Sequence, residues 1–169
     1  IITIKMDGAN ATLRNDKVVA RNGKYAKQKQ YDMLKKIHKD ISYKIPKNLQ
    51  ISGEWLYAYH SIHYGHNKMN CNKDCDSAPA LNGYFQVFGV YDTDYNIWLG
   101  WNEVERWAKE LGFCIVPILK KDVIYENKWE FKNKVSELAK DVVNKGHEGL
   151  VVRPKYPFHF GQFKNRVAK

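Results

Sequence analysis

The sequence predicts an α+β fold with largely antiparallel sheets flanked by helices. Three observations carry this. Strand-like runs joined by short turns recur without the regular strand–helix alternation a parallel sheet needs. Helical stretches with clear stop signals interrupt them. The 169 residues, 44% hydrophobic and 14% aromatic, suffice for one packed core and show no repeat, low-complexity segment or linker. Residues 1–169 therefore read as a single domain.

The apolar run Ile1-Ile2-Thr3-Ile4 predicts a first strand over residues 1–5. Ala11-Thr12-Leu13 and Val18-Val19-Ala20 flank an Arg14-Asn15-Asp16-Lys17 turn and predict a hairpin. Residues 25–41 place Tyr31, Leu34, Ile37 and Ile41 at helical spacing on a very basic background, and Pro46 ends that region. Residues 49–59 read as a strand around Gly53-Glu54, and 60–82 as a polar, Asn-rich loop. Residues 83–91 form an aromatic strand, and Asp92-Thr93-Asp94 turns it into another over 95–99. Asn102 with Glu105 three positions on has the capping-box pattern for a helix over 103–111, stopped by Gly112. Residues 113–117 read as a short strand. A second amphipathic helix spans 129–144 and closes at Gly146; residues 149–153 are a strand, and the tail from Phe158 returns to the sheet. Trp101, Trp107 and Trp129 are expected in the core, and Cys114 as a small buried hydrophobe.

Twenty-eight Lys and Arg against eighteen Asp and Glu give a net charge of +10. Such a balance favours a polyanionic partner: nucleic acid, nucleotide or an anionic surface. The Lys, Asn, Ile and Tyr richness also suits an AT-rich genome. No apolar stretch approaches a membrane span and no signal peptide is visible, so no membrane partner is expected. Three cysteines, an odd number, suggest a reducing and hence cytoplasmic setting. The sequence says nothing about oligomeric state.

The chemistry starts at Lys5-Met6-Asp7-Gly8-Ala9-Asn10. A lysine leaving an apolar strand is an unusual place for a solvated ammonium; burial and cationic neighbours would both favour the neutral, nucleophilic amine. Alone, the fragment also reads as a surface hairpin, since Asp-Gly is an ordinary turn dipeptide. Five further fragments follow in order: Ala20-Arg21-Asn22-Gly23; Ser52-Gly53-Glu54-Trp55-Leu56; Tyr84 to Asp92; His147-Glu148-Gly149-Leu150-Val151-Val152-Arg153; and Val167-Ala168-Lys169.

This ordered set resembles the ATP-dependent RNA ligase family, within the covalent nucleotidyltransferase superfamily of ligases and capping enzymes. Lys5–Asn10 is similar to motif I, Ala20–Gly23 to the Ser/Ala-Arg-x-Gly motif, Gly53–Ile62 to motif III, Tyr84–Tyr91 to motif IIIa, Glu148–Arg153 to motif IV, and Val167–Lys169 to the start of motif V. The resemblance implies a nucleotidyltransferase (ligase adenylation domain) fold and an enzyme that uses ATP with Mg2+ or Mn2+. It would form lysyl-AMP on Lys5 and pass AMP to the 5′-phosphate end of RNA, which a 3′-hydroxyl end then displaces. It implies that Lys5, Glu148 and Lys169 are catalytic, and that Lys5, Asn10, Arg21, Glu54, Phe88 and Lys169 bind the nucleotide. Asn10 would meet phosphate or the second nucleic-acid end, Arg21 phosphate or ribose, Glu54 the ribose hydroxyls, Phe88 the adenine, Glu148 the divalent ion and Lys169 the α-phosphate.

Two departures bear on these assignments. Gly89 stands where many relatives carry Asp, which leaves Phe88 and Phe85 as alternatives for the adenine face. The chain starts four residues before Lys5 and ends at Lys169, so segments before motif I and a C-terminal domain are expected to be missing. Other readings stay open. The same fold serves DNA ligases and capping guanylyltransferases, and a nucleic-acid-binding module can keep the fold without catalysis. Glu54 and Glu148 could be structural ion-pair carboxylates, and Arg153 a phosphate contact or a structural partner. The helix at 25–41 could grip a nucleic-acid backbone or be a solvated face. His60, His63, His66, Cys71 and Cys75 could ligate zinc or belong to an exposed insertion. A bacterial or phage origin fits the form of motif III.

Overall fold

A computed structural model describes residues 1–58, 60–62, 64 and 83–159, and the backbone of 167–168. Among these residues eleven strands form two sheets. In chain order they are β1 (Ile2–Lys5), β2 (Ala9–Leu13), β3 (Val18–Ala20), β4 (Leu49–Trp55), β5 (Phe85–Asp92), β6 (Ile97–Trp98), β7 (Cys114–Ile115), β8 (Ile118–Lys120), β9 (Gly149–Val152), β10 (Phe158–His159) and β11 (Val167–Ala168). Helices α1 (Asp32–Ile41), α2 (Trp101–Glu110) and α3 (Lys128–Asn144) lie between them. The larger sheet runs β10-β6-β5-β4-β2-β3, with β7 added beside β5, and the smaller runs β11-β9-β1-β8. β7 is parallel to β5; every other strand pair among the described residues is antiparallel. The expected α+β, largely antiparallel architecture is what forms.

Strand β1 is buried along most of its length, which explains its near-continuous apolar sequence. Ile1 and Ile4 join the main core with Leu13, Leu34, Ile51, Trp55 and Val90. Ile2 joins a small second cluster with Val135 of α3 and Leu150 of β9. β1 pairs with β8 and β9, and β2 with β3 and β4, so β1 and β2 are not a hairpin. Residues 6–8 are instead the passage from one sheet to the other.

Several boundaries differ from the sequence reading, each for a tertiary reason. The first helical stretch does not begin at Tyr25. Tyr25 bridges to Val19, Ala26 N–H donates to Val18 O, a 3-10 turn covers Lys29–Tyr31, and only then does α1 start. Strand β4 stops at Trp55, where Leu56 N–H turns to Tyr84 O. Helix α2 begins at Trp101 with Gly100 as its cap, not at Asn102. Trp101 N–H donates to Lys155 O at 2.9 Å, so a neighbouring segment fixes the start that a side-chain cap was expected to fix. Strand β8 was not anticipated: the run expected over 113–117 ends at Ile115, and the chain changes sheets at Pro117, whose carbonyl accepts from Ile4 N–H.

Trp101 and Trp107 are core residues, but Trp129 is 74% exposed at the start of α3, and Cys114 is only half-buried. Helix α3 is capped by Asn127, whose side chain accepts from Glu130 N–H at 2.9 Å. No helix among the described residues is long and apolar enough to cross a membrane.

Candidate active site

Lys5 is the last residue of β1 and lies directly across from Gly149, the first of β9. Gly149 has φ 150°, a backbone that L side chains rarely adopt. That geometry puts Glu148 beside the end of β1, where Lys5 Nζ donates to Glu148 Oε1 in an ion pair. The Lys5 and Glu148 side chains are about one-third exposed, so the pair opens to solvent. The cationic neighbours expected for Lys5 do not appear among the described residues. The charges around it are Glu148, through this pair, and Glu54, through electrostatics.

Glu54 comes from the other sheet. It sits on β4 across from Asn10 of β2 and Gln86 of β5, so the three side chains share one face. Burial pushes the Glu54 carboxyl up to about 7, opposed by the charge of Lys5 and a hydrogen bond from the Gly8 backbone. The Gly8 position requires glycine. A Cβ there would lie 2.6 Å from Leu56 Cδ2 and 2.7 Å from the Trp55 carbonyl, and 3.1 Å from Glu54 Cγ. The Gly of motif I thus lets the inter-sheet passage press against β4 at the glutamate.

Asp7 ties that passage to the end of motif III. Its carboxylate accepts from Ile62 N–H at 2.8 Å, and its own N–H donates to Tyr64 Oη at 2.9 Å. Tyr64 is a member of the site that the sequence reading missed. Its only signal was a position just beyond motif III, and burial pushes its hydroxyl up to about 12.

Phe88 and Phe85 are separated by the fold. Phe85 is 2% exposed and packs edge-on against Phe113 in the core. Phe88 is half-buried, with the Arg153 guanidinium 4.8 Å from its ring centre. β5 steps two residues, Val87 to Gly89, against one step of β4, Gly53 to Ser52. Phe88 is the extra residue of this bulge. Gly89 is explained as well: a Cβ would lie 2.8 Å from the Trp98 ring, leaving no room for the Asp common in relatives. Arg153 is half-buried, its buried Nε has no partner among the described residues, and desolvation lowers its pKa to about 10 against the pull of Glu54.

Lys5, Glu148, Glu54, Asn10 and Phe88, with Arg153, therefore gather between the facing ends of the two sheets. Arg21 stands apart, exposed in the turn after β3, one step beyond the Ala20–Ala11 pair and touching none of these side chains. Lys169 lies outside the described residues; the backbone before it runs beside motif IV, with Ala168 across from Leu150. His63, His66, Cys71 and Cys75 also lie outside them, and His60 is exposed.

Two antiparallel sheets that meet over a lysine and facing carboxylates make this a nucleotidyltransferase fold of the ligase type. The fold is shared with solved structures: a mutant Naegleria gruberi RNA ligase with ATP and Mn (TM-score 0.60, 23% identity, 96% of this chain and 46% of that one), the same organism's RNA ligase with PPi (0.59, 22%, 93% and 47%), and an archaeal ATP-dependent RNA ligase (0.57, 17%, 89% and 38%). This chain spans less than half the length of each of these. The chain belongs to the RNA ligase family, whose sequence profile matches residues 1–169. No match is found among the curated proteins.

Proposed function

We propose that this domain adenylylates itself on Lys5 with ATP and passes AMP to a 5′-phosphate end of RNA for strand joining. The observation that carries the reading is the placement of Lys5, the last residue of β1, against Glu148, just before β9, with Glu54 of β4 brought in from the other sheet. In the first step Lys5 Nζ attacks the α-phosphorus. The P–N bond forms as the bond to the pyrophosphate oxygen breaks, and the proton leaving Nζ has a carboxylate acceptor in Glu148. Glu54, titrating near neutrality, accepts from the ribose hydroxyls when ionised. Phe88 offers a flat face to adenine and Arg153 backs it. Asn10 and Lys169 take the phosphate contacts, and Arg21, exposed on the same hairpin, meets phosphate of the nucleotide or the RNA end.

Glu148 fits a divalent ion. Mg2+ and Mn2+ are commonly held by one or two carboxylates plus substrate phosphates. The described residues gather no group of three His, Cys, Asp or Glu that would form a protein cage. Such an ion would screen the triphosphate and orient the pyrophosphate leaving group.

The test is incubation with Mg2+ and α-labelled ATP or GTP, followed by a denaturing gel. Label from ATP retained by the wild type and lost in Lys5→Arg supports the reading; guanidinium keeps the charge and the ion pair but is not a nucleophile at working pH. Label from GTP alone would indicate a capping enzyme, and label from neither a non-catalytic module. Nicked RNA and nicked DNA then separate RNA from DNA ligation.

A further inference from the structure

The net charge is concentrated in one part of the fold. Residues 14–47 hold eleven Lys and Arg against three Asp, a net +8 of the chain's +10. Only Lys17, with Asp16, and Lys35, with Asp32, form ion pairs among the described residues. The other nine cations have no fold-stabilising partner of opposite charge.

Three of the cations in residues 14–47, Lys17, Lys35 and Lys39, line a cleft. Between α1 and the turn joining β2 to β3 lies an opening of about 260 Å3, walled by Lys17, Lys35, Lys39, His38 and Tyr25 and by one carboxylate, Asp16, which pairs with Lys17. Its walls are tied together at the C-terminal end of α1. Asn15 Nδ2 donates to Ser42 O at 3.1 Å and to Ile45 O at 2.9 Å, and the buried His38 ring bonds Arg14 O. The hairpin turn is thus fastened to the last turn of α1 and the segment just after it, and a ligand would bear little ordering cost. Tyr25, 50% exposed, has the Lys35 ammonium 5.6 Å from its ring centre. That ammonium is shared with Asp32 and Lys17 is shared with Asp16, both exposed pairs, while Lys39 forms no ion pair among the described residues; an exposed ring within such a basic lining suits a polymer of phosphates and bases better than an isolated anion.

We propose that this cleft is a second RNA-docking site, which holds the phosphate backbone several nucleotides from the reacting end. It rests on the reading that RNA is the polymer joined. Asn10, on β2 at the candidate active site, and Asn15, in the turn after β2 at the cleft, are five residues apart, at most about 17 Å at strand rise. RNA confined to a few nucleotides around the reacting end does not reach the cleft; longer RNA does.

The test compares the wild type with a Lys17→Ala/Lys35→Ala/Lys39→Ala variant and its Lys→Arg counterpart, using fluorescence anisotropy with unreactive nicked RNA duplexes at several salt concentrations. One duplex extends about four base pairs from the nick and the other about fifteen, bracketing the reach of the cleft. For the long duplex, the alanine variant is expected to lose affinity by an order of magnitude or more, with a salt slope shallower by roughly two to three. The arginine variant keeps wild-type binding, and the short duplex binds all three alike. Thermal unfolding checks that each variant is folded. Equal losses on both duplexes, or none, overturn the proposal. So does lysine-dependent binding to phosphatidylserine vesicles without any effect on long RNA. The anisotropy readout needs no chemistry, so failure of adenylylation on Lys5 and failure of the docking site are seen separately.

Discussion

At the scale of single residues, the site is governed by where carboxylates are buried. Glu54 is an ordinary acid in the unfolded chain and titrates at about 7 in the fold, because burial disfavours its charge. Below pH 4.5 both states hold the proton and there is no cost. As pH rises from there to about 7 the unfolded chain ionises first, so the folded state loses stability, by an amount on the order of 3 kcal/mol once both are ionised. Glu54→Gln removes this dependence. The expected outcome is that the variant's stability advantage over wild type grows from pH 5 to pH 8 in urea titrations; a constant difference would contradict the burial. Gly8 acts through space. Gly8→Ala puts a methyl 2.7 Å from the Trp55 backbone oxygen, which cannot move aside as a side chain could. A loss of about 1–3 kcal/mol is expected. Adenylylation is expected to fall with it, because the displaced strand carries Glu54.

At the scale of elements, hydrophobic patterning named the strands and helices well, and contacts between them set the ends. The two tryptophans at Trp55 and Trp129 show why. Trp55 is fully buried, donates from Nε1 to Gln30 O at 2.7 Å, and stacks on Tyr57. Trp129 sits on a helix face that meets solvent. Trp55→Ala is expected to cost about 3–5 kcal/mol, and Trp129→Ala to stay within about 0.5 kcal/mol, by chemical denaturation. Trp55 lies in an apolar strand and Trp129 in a charged stretch at a helix start, and the sequence reading assigned Trp129 to the core because helical spacing alone does not say which face is covered. Helix α2 teaches the same point at its start: Asn102 has capping chemistry, but Lys155 O reached Trp101 N–H first.

At the scale of the whole molecule, two cores of unequal size hold the sheets. The main cluster runs through the larger sheet, α1 and α2, whereas the smaller sheet rests on α3 through Ile2, Val135 and Leu150. Fewer apolar contacts mean a lower free energy of local opening. Amides of β9 and α3 are therefore expected to exchange hydrogen faster than those of β4 and β5, measured by native-state exchange; equal protection would show one cooperative unit. Lys5 ends β1 and Glu148 immediately precedes β9 of the smaller sheet, whereas Glu54 lies in the larger, so opening of the smaller core would separate Lys5 from Glu54.

The sequence by itself determined the family, the order of the chemical fragments and the α+β class, because these depend on residue type, spacing and local periodicity. Lys5, Glu54 and Glu148 were singled out in that way; the fold brings them together, and their roles are the ones we propose. Only the tertiary structure decided that residues 6–8 join two sheets rather than close a hairpin. It also turned Phe85 into the core while a bulge left Phe88 beside Arg153, and brought Tyr64 to Asp7. Those outcomes depend on strand register and on which surfaces meet, and neither is encoded within any one segment of the chain.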